Sequence, residues 1–290
     1  MDTWLRHIAG VVGMGPAARH QRRNPFDRLR SSLLLPALLP LSTMAVAALA
    51  EPPPANPTIS HQVLTAGFLA AHPDIHYRTK GMQAIDAGRP ADALRYFMRA
   101  AFYADKPSQA MIAEMLWNGE GQAKDPALAY AWMDLAAERK YALFVQQRER
   151  YWNAMDEATR ARAAAEGQAL YATYGDAAAK PRIARVLRRE LASITGSRTG
   201  ATGALTVIVR GPGGSTRTID GSQLFNPKYW NPGRYQAWQD AIWAKPRIGQ
   251  VEVGAVETVP DAPIPDSRIP ATAPRTNAPE PDVPVDGGGR

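Results

Sequence analysis

The residues that could carry catalytic chemistry are few, and they lie near the N-terminal end of the chain. All five histidines lie at or before His76, and the chain has no cysteine. A nucleophile activated by histidine needs that side chain within hydrogen-bonding reach. Only His61, His72 and His76 remain after a leader is removed, and each would have to reach a distant residue. We therefore predict no catalytic residue, no cofactor and no enzymatic activity.

Metal binding by histidine is weakly indicated. His72 and His76 have the i, i+4 spacing that can chelate zinc from one face of a helix. Pro73 and Asp74 lie between them, and this pair favours the start of a helix instead. We predict no metal site.

Paired carboxylates could in principle support glycoside hydrolysis. The pairs considered are Glu114 with Glu120 and Asp134 with Glu138. Acidic residues at this frequency on helices are far more often solvent-facing. No hydrolytic site is predicted from them.

A repeat with a step of 36 residues is the most informative pattern in the sequence. Ala91, Ala93, Phe97, Ala100 and Ala101 recur as Ala127, Ala129, Met133, Ala136 and Ala137. A fixed period of this length is typical of stacked helical hairpins, whose apolar faces cannot be buried singly. We predict that Phe97 and Met133 occupy equivalent positions in successive layers of a shared core.

The second repeat unit carries a more specific motif. Its elements are a GxG loop at Gly119 and Gly121, Asp125 before the second helix, and Ala129, Trp132, Ala136 and Ala137 within that helix. This pattern resembles the Sel-one-like repeat, a relative of the tetratricopeptide repeat. The first unit lacks the GxG loop and is similar to a generic tetratricopeptide hairpin. The resemblance implies an α-solenoid that mediates protein contacts.

The predicted fold is mainly α: a short α-α superhelix of Sel-one-like repeats, then a small α+β module and a disordered tail. The repeat domain is predicted over 60–194, with units at about 78–104 and 107–140 and a degenerate cap over 141–194. A linker over 195–203, the module over 204–258 and the tail over 259–290 complete the prediction.

The α+β module is predicted from a change in hydrophobic period. Apolar and polar residues alternate over 205–210, and a glycine-rich run over 211–214 turns the chain into 215–219, which indicates a β-hairpin. Two strands alone are marginal in water, so the aromatic stretch over 224–243 is expected to cover them. A helix is expected to start at Asn231-Pro232, and Val251 and Val253 are candidates for a third strand.

The first 50 residues predict export. Six arginines outnumber two aspartates there, and an apolar stretch over 31–50 closes on Ala48-Leu49-Ala50. We predict a signal peptide cleaved after Ala50, a proline-rich linker over 51–59, and a periplasmic or secreted location. An inner-membrane anchor formed by 31–50 is the weaker alternative, because Pro36 and Pro40 interrupt that stretch.

Charge and composition limit the partners and the tail. Of the formal net charge of +7, a net +4 lies within residues 1–50, so nucleic acid is not an expected partner. From Pro260 onward there are eight prolines, three closing glycines and no aromatic residue. Such a composition buries too little surface to offset chain entropy, which predicts disorder.

The leading functional hypothesis is a scaffold that binds a protein or peptide partner in the bacterial cell envelope. The candidate binding residues, expected on the surface or at a rim, are Tyr96, Trp117, Tyr130 and Asp134. The oligomeric state is left open.

The alternative is a cell-wall or glycan ligand-binding protein. The rings proposed to stack its ligand are those of Tyr229, Trp230, Trp238 and Trp243. A basic helix would add peripheral contact with membrane or wall, through Lys180, Arg182, Arg185, Arg188 and Arg189.

Overall fold

The structure is a computed structural model that describes residues 63–195, 206–210, 216–244 and 264–284. The predicted signal peptide, the 51–59 linker, the greater part of the 195–203 linker and the candidate strand at Val251 and Val253 lie outside the described residues. The described part is mainly helical, as predicted. None of its helices combines the length and apolar character that crossing a bilayer requires.

Helices dominate the first half of the described chain. They are α1 (Ala66–Ala71), α2 (Pro73–Asp86), α3 (Pro90–Ala101), α4 (Lys106–Asn118), α5 (Pro126–Ala136), α6 (Ala142–Ala154), α7 (Glu157–Tyr174) and α8 (Asp176–Thr195). A 3-10 helix at Ala137–Arg139 lies between α5 and α6. Strands β1 (Thr206–Arg210) and β2 (Thr216–Asp220) then precede α9 (Gly221–Leu224), α10 (Pro227–Trp230) and α11 (Pro232–Trp243).

Local sequence sets the ends of the repeat helices. The Asp105 and Asp125 side chains accept hydrogen bonds from backbone amides at the starts of α4 and α5, at 3.1 and 3.0 Å. Each aspartate is followed by a proline in the first turn, where the missing amide hydrogen does no harm. Gly119 ends α4 at φ 78°, a left-handed conformation that favours glycine. These caps agree with the sequence prediction for Asp125 and Gly119.

Two helical hairpins, α2–α3 and α4–α5, pack against each other through α3 and α4. Phe97 in α3 and Met133 in α5 are both fully buried in one hydrophobic cluster. The Phe97 ring lies against Gly81 of α2, where a Cβ atom would overlap it. Gly81 and Ala113 each lie five residues before the last residue of their helix. Both hairpins therefore have a small buried residue at the corresponding place.

The longer loop of the second hairpin contacts the first hairpin. The loop over 119–125 has seven residues, whereas the loop over 87–89 has three. Gly121 has φ 77°, and a Cβ atom added to it would lie 2.6 Å from the carbonyl oxygen of Pro90. A side chain there would conflict with the backbone conformation and with the neighbouring hairpin. The GxG element thus lies where consecutive hairpins meet.

Helices α6 to α8 extend the helical packing without repeating it. Helix α5 packs against both α6 and α7, and the Trp132 ring contacts Tyr174, with centroids 4.8 Å apart. The repeat alanines at 129, 136 and 137 are buried. Helical composition over 181–193 predicts a helix there, and α8 starts earlier, at Asp176. The reason is tertiary: the Glu138 carboxylate accepts a 3.0 Å hydrogen bond from the Asp176 amide, placing an anion at this helix N-terminus.

A buried ion network holds this junction together. The Asp176 carboxylate accepts two 2.8 Å hydrogen bonds from Arg139, and Lys106 Nζ lies 3.2 Å from it. Lys106 is buried and also pairs with Glu138 at 2.6 Å. Burial alone would raise the pKa of Asp176, but Lys106 and Arg139 outweigh it and hold that pKa well below its ordinary value. The network therefore joins α4, the 3-10 helix and α8.

The C-terminal aromatic stretch packs on the first helices and not on the hairpin alone. Strands β1 and β2 pair antiparallel, as predicted. The Trp230 ring contacts the rings of Phe68 and His72 in the α1 region, and the Tyr235 hydroxyl donates a 2.5 Å hydrogen bond to Asp74. Ile208 on β1 stays 68% exposed. The hairpin and the helices that follow it are therefore present as predicted, and the aromatic stretch also packs on residues at and near α1 and α2.

Residues 264–284 correct the prediction of a disordered tail over 259–290. This stretch, which we name the tail segment, contains neither helix nor strand and runs over the helical surface. Ile269 within it is buried. The composition of the segment reflects only the apolar surface that its own side chains can bury. The helices instead supply hydrogen-bond donors to its main chain, and residues 259–263 and 285–290 lie outside the described residues.

Candidate peptide-binding groove

The surface beneath the tail segment is the best-defined candidate site. We name it the tail groove and define it by six residues that contact the segment. They are Arg99 of α3, Asp134 of α5, Arg148 and Trp152 of α6, Gly167 of α7 and Arg182 of α8.

Three arginines of the groove donate hydrogen bonds to main-chain carbonyls of the tail segment. The acceptors are Pro265 O at 2.8 Å and Asp266 O at 2.7 Å for Arg148, Thr276 O at 3.3 Å and Arg275 O for Arg182, and Pro281 O for Arg99. Proline has no amide hydrogen, so a proline-rich backbone offers mainly acceptors. A guanidinium group offers only donors. The three arginines therefore match the main chain of such a segment whatever its side chains.

The buried carboxylate of Asp134 is paired from both sides of the groove. The Ser267 hydroxyl of the tail segment donates to Oδ2 at 2.5 Å, and the Tyr171 hydroxyl donates to the same oxygen at 2.9 Å. Arg148 lies 3.3 Å from Oδ1. Burial raises the pKa of Asp134 in spite of these contacts. Ser267 thus supplies one of the donors that a buried carboxylate requires.

Arg268 is the charged anchor of the tail segment. Its guanidinium donates two hydrogen bonds to Glu149, at 2.8 and 2.6 Å, and lies 4.6 Å from the centroid of the Trp152 ring. Burial would raise the pKa of Glu149, but hydrogen bonds from Arg268 and Arg148 lower it below the ordinary value. Only arginine has a planar guanidinium group that can donate two hydrogen bonds from its edge while its face stacks on an indole. Lysine would therefore not replace Arg268.

Ile269 occupies a notch that a glycine leaves in α7. Gly167 lies inside this helix, where glycine costs about 0.5 to 1 kcal/mol relative to alanine. A Cβ atom at position 167 would overlap the Ile269 side chain. Beyond the notch, the Arg275 amide donates to Ala172 O at 2.5 Å. The segment therefore follows α7 before reaching α8.

Two of the four predicted protein-binding residues lie at the tail groove. Asp134 contacts Ser267, and the hydroxyl of Tyr130 lies 3.4 Å from Arg268 Nη1. Both side chains are buried with the tail segment in place, and neither lies at an exposed rim. The tail segment itself accounts for part of that burial.

The other two predicted residues take part in helix packing. Tyr96 is buried, and its ring lies 6.4 Å from the ring of Tyr77. The half-buried Trp117 stacks on Tyr151, with centroids 4.1 Å apart and planes within 2°. These contacts place both rings between helices.

The rings named for the alternative function are in the core. Tyr229, Trp230, Trp238 and Trp243 are between 3 and 8% exposed. Trp230 also contributes to the wall of a groove of about 620 Å³ between α1 and β1. The four rings therefore leave little surface open to a stacking sugar.

The predicted basic helix has two different environments. Arg182 is buried and donates to Phe102 O and Thr173 O at 3.2 and 2.6 Å, in addition to the tail segment. Arg185, Arg188 and Arg189 are exposed. Arg182 therefore differs from the other three arginines named for the basic helix, which remain available for surface contact.

His72, Asp134 and Glu138 each have partners outside the pairs considered for chemistry. His72 Nδ1 lies 2.7 Å from Phe68 O and Nε2 lies 2.9 Å from Tyr229 O, so carbonyls engage both nitrogens. Asp134 contacts the tail segment, whereas Glu138 contacts Lys106. Across the described ranges, no three His, Cys, Asp or Glu side chains group as a metal site would need.

The sequence pattern did not indicate Arg99, Arg148 or the notch, and it indicated Arg182 only as part of a basic helix. Gly167 was the available signal, because a single glycine inside a strong helix pattern indicates a packing or functional reason. The arginines gave no such signal, since the same residue type also covers the exposed face of α8.

The fold and the site together define a mainly helical protein whose C-terminal segment occupies a groove on its own helices. Comparisons with protein-family models, with curated proteins and with solved structures found no match for this chain.

Proposed function

We propose that this chain is an exported Sel-one-like repeat protein that acts as a protein-interaction scaffold in the bacterial cell envelope. The observation that carries the proposal is the tail groove, where helices hold a proline-rich segment largely by its main chain. The 36-residue period and the GxG motif support the α-solenoid class. The arginine-rich, apolar leader over 1–50 supports export.

A cell-wall or glycan-binding role has less support. It needs aromatic faces open to a ligand, and the four rings named for it are buried. It also needs a basic surface, of which Arg182 is already committed to main-chain carbonyls.

Photo-crosslinking from inside the groove tests the proposal. A benzoylphenylalanine side chain replaces Trp152 in a full chain that also carries Arg268→Ala and Ile269→Ala, which weaken the resident tail segment, and the protein is irradiated in the bacterial envelope. We expect a covalent adduct with another envelope protein, identified by mass spectrometry. The same probe at Ala165, exposed on α7, is the matched control and should give no such adduct.

Binding to purified peptidoglycan is measured in parallel. Retention of the protein by the polymer, together with no adduct from position 152, would reverse the ranking of the two functions. The export component is checked by the mass of the exported chain, which should begin at Glu51. A product that still begins upstream of Ser31 would contradict it.

A further inference from the structure

We infer that the tail groove recognises peptides with a Ser-Arg-aliphatic-Pro core in a proline-rich, non-helical segment, and that residues 264–284 occupy it as a tethered competitor. The identity of a biological partner rests on the proposed function. The binding itself is a property of this chain and can be measured with purified protein.

Recognition divides into a main-chain part and a side-chain part. The arginine contacts to carbonyls accept any sequence that presents acceptors in the same places. Side-chain contacts concentrate in three consecutive residues, 267–269, just before Pro270. Each has a dedicated partner: a carboxylate for Ser267, a carboxylate and an indole for Arg268, and a glycine notch for Ile269. These three positions therefore set the specificity.

The groove is built from helices that also pack directly on one another. Helix α5 packs against α6 and α7, and Arg148 is held by Asp134 and by Glu149 at 3.3 and 2.8 Å. The donors that meet the peptide carbonyls are therefore already positioned. Preorganised donors lower the entropy lost on binding.

Charged contacts near the two ends of the segment fix its direction. Near the first end, Lys140 Nζ lies 2.8 Å from the Asp266 carboxylate. Near the other end, Arg99 pairs with Glu280 at 2.5 Å, and the Tyr103 hydroxyl donates to the same carboxylate. A peptide bound in reverse would lose both pairs.

Covalent attachment gives the resident segment an advantage over any free peptide. Residues 244–263 connect the end of α11 at Trp243 to Ile264. A covalent tether of this kind makes binding intramolecular, with an effective concentration on the order of millimolar. A free peptide of the same sequence must compete with that concentration, so weakening the resident should expose the groove.

Fluorescence anisotropy with a labelled peptide of sequence 264–284 tests this inference. The proteins are full-length: the native chain, and a tail variant with Arg268→Ala and Ile269→Ala. We expect the tail variant to bind the peptide about tenfold or more tightly than the native chain. A scrambled peptide of the same composition should bind the tail variant about tenfold more weakly than the native sequence.

Two glycine substitutions in the tail variant locate the binding. Gly167→Ala fills the notch and should weaken peptide binding by about tenfold, while favouring the helix. Gly67→Ala in α1 is the matched control, because nothing lies within 4 Å of the added atom, and it should leave binding unchanged. A peptide with alanine in place of Ile269 should bind equally well with and without Gly167→Ala.

Three results would overturn the inference when circular dichroism shows folded protein. They are equal peptide binding by the native chain and the tail variant, binding insensitive to Gly167→Ala, and equal binding of the scrambled peptide. Peptide binding without any adduct from position 152 would reject the proposed function and leave this inference standing. An envelope adduct from position 152 without peptide binding would support the proposed function and overturn this inference.

Discussion

At the residue scale, two buried titratable groups at the start of α2 oppose each other. Burial lowers the pKa of His72 to about 4. Burial, with the nearby charge of Asp105, raises the pKa of Asp74 to about 7. Tyr235 and Arg78 also face Asp74, and both favour its charged form without cancelling the effect of burial. In the folded protein, His72 therefore resists gaining a proton and Asp74 resists losing one.

The signs of the two contributions follow from linkage. As the pH falls from 6.5 towards 4, only the unfolded chain protonates its histidine, so His72 destabilises the fold at low pH. As the pH rises from about 4 to 7, only the unfolded chain has lost the aspartate proton, so Asp74 destabilises the fold at higher pH. Over the shared window the two effects largely cancel.

Replacing Asp74 by asparagine should reveal the histidine contribution. The free energy of unfolding of Asp74→Asn is expected to rise by about 3 kcal/mol from pH 4 to 6.5, because a pKa unit corresponds to about 1.4 kcal/mol. The native chain should change much less over the same window. Urea unfolding at a series of pH values measures both. Asp86→Asn, at an exposed position of α2, serves as control, and parallel profiles for Asp74→Asn and the native chain would contradict the argument.

At the scale of elements, the GxG loop offers a test of how the hairpins are joined. Gly88 and Gly121 both have positive φ, at 69° and 77°. Open space surrounds Gly88, whereas Gly121 lies against the backbone of Pro90. The two positions therefore differ mainly in whether a neighbouring hairpin lies against the glycine.

Gly88→Ala should lower the free energy of unfolding by about 1 kcal/mol, the cost of a left-handed alanine. Gly121→Ala should lower the free energy of unfolding by about 2 kcal/mol more than Gly88→Ala does, because its side chain would also displace the Pro90 backbone. Urea unfolding of both variants gives the comparison. Equal losses would mean that the loop does not hold the two hairpins together.

The elements also show what the sequence can predict. Helix ends at Asp125 and Gly119 depend on side chains within a few residues, so local patterns identify them. The start of α8 depends on Glu138, and the docking of the aromatic stretch depends on α1, so no local pattern could identify either. The tail segment is the extreme case, because its order depends on donors that other helices supply.

At the scale of the whole molecule, the last described helices close onto the first. The Tyr229 carbonyl lies 2.9 Å from His72 Nε2, and the Trp230 indole donates to Leu224 O at 2.7 Å while its ring contacts Phe68. Helix α11 also reaches the ion network, where Arg139 Nη1 lies 3.4 Å from the Asp240 carboxylate. The fold should therefore lose stability at α1 when the aromatic stretch is disturbed.

Trp230→Ala should lower the free energy of unfolding by about 3 to 5 kcal/mol, the usual loss for a buried tryptophan. Amide hydrogen exchange in α1 should accelerate with it, because Phe68 and His72 lose their cover. The control is Ile208→Ala on the exposed face of β1, which should change stability by about 0.5 kcal/mol or less. If amide hydrogen exchange in α1 is the same in Trp230→Ala as in the native chain, α1 and the aromatic stretch fold separately.

Arg182 connects the tail segment to two distant parts of the chain. It donates to Phe102 O after α3 and to Thr173 O near the end of α7, and it also reaches two consecutive carbonyls of the tail segment. A lysine ammonium group carries the same charge but cannot span these acceptors with a planar fork. Arg182→Lys should therefore loosen the tail segment without removing a charge.

Trypsin cleavage after Arg275 measures that loosening, because a protease cuts a bound segment only when it opens. We expect Arg182→Lys to speed this cleavage by about threefold or more, which corresponds to a loss of about 0.7 kcal/mol or more in docking free energy. Arg185→Lys, exposed on the same helix, should leave the rate at its native value. Helix content by circular dichroism should match in both variants. Equal cleavage rates would mean that Arg182 supports the helices alone and that the tail segment is held elsewhere.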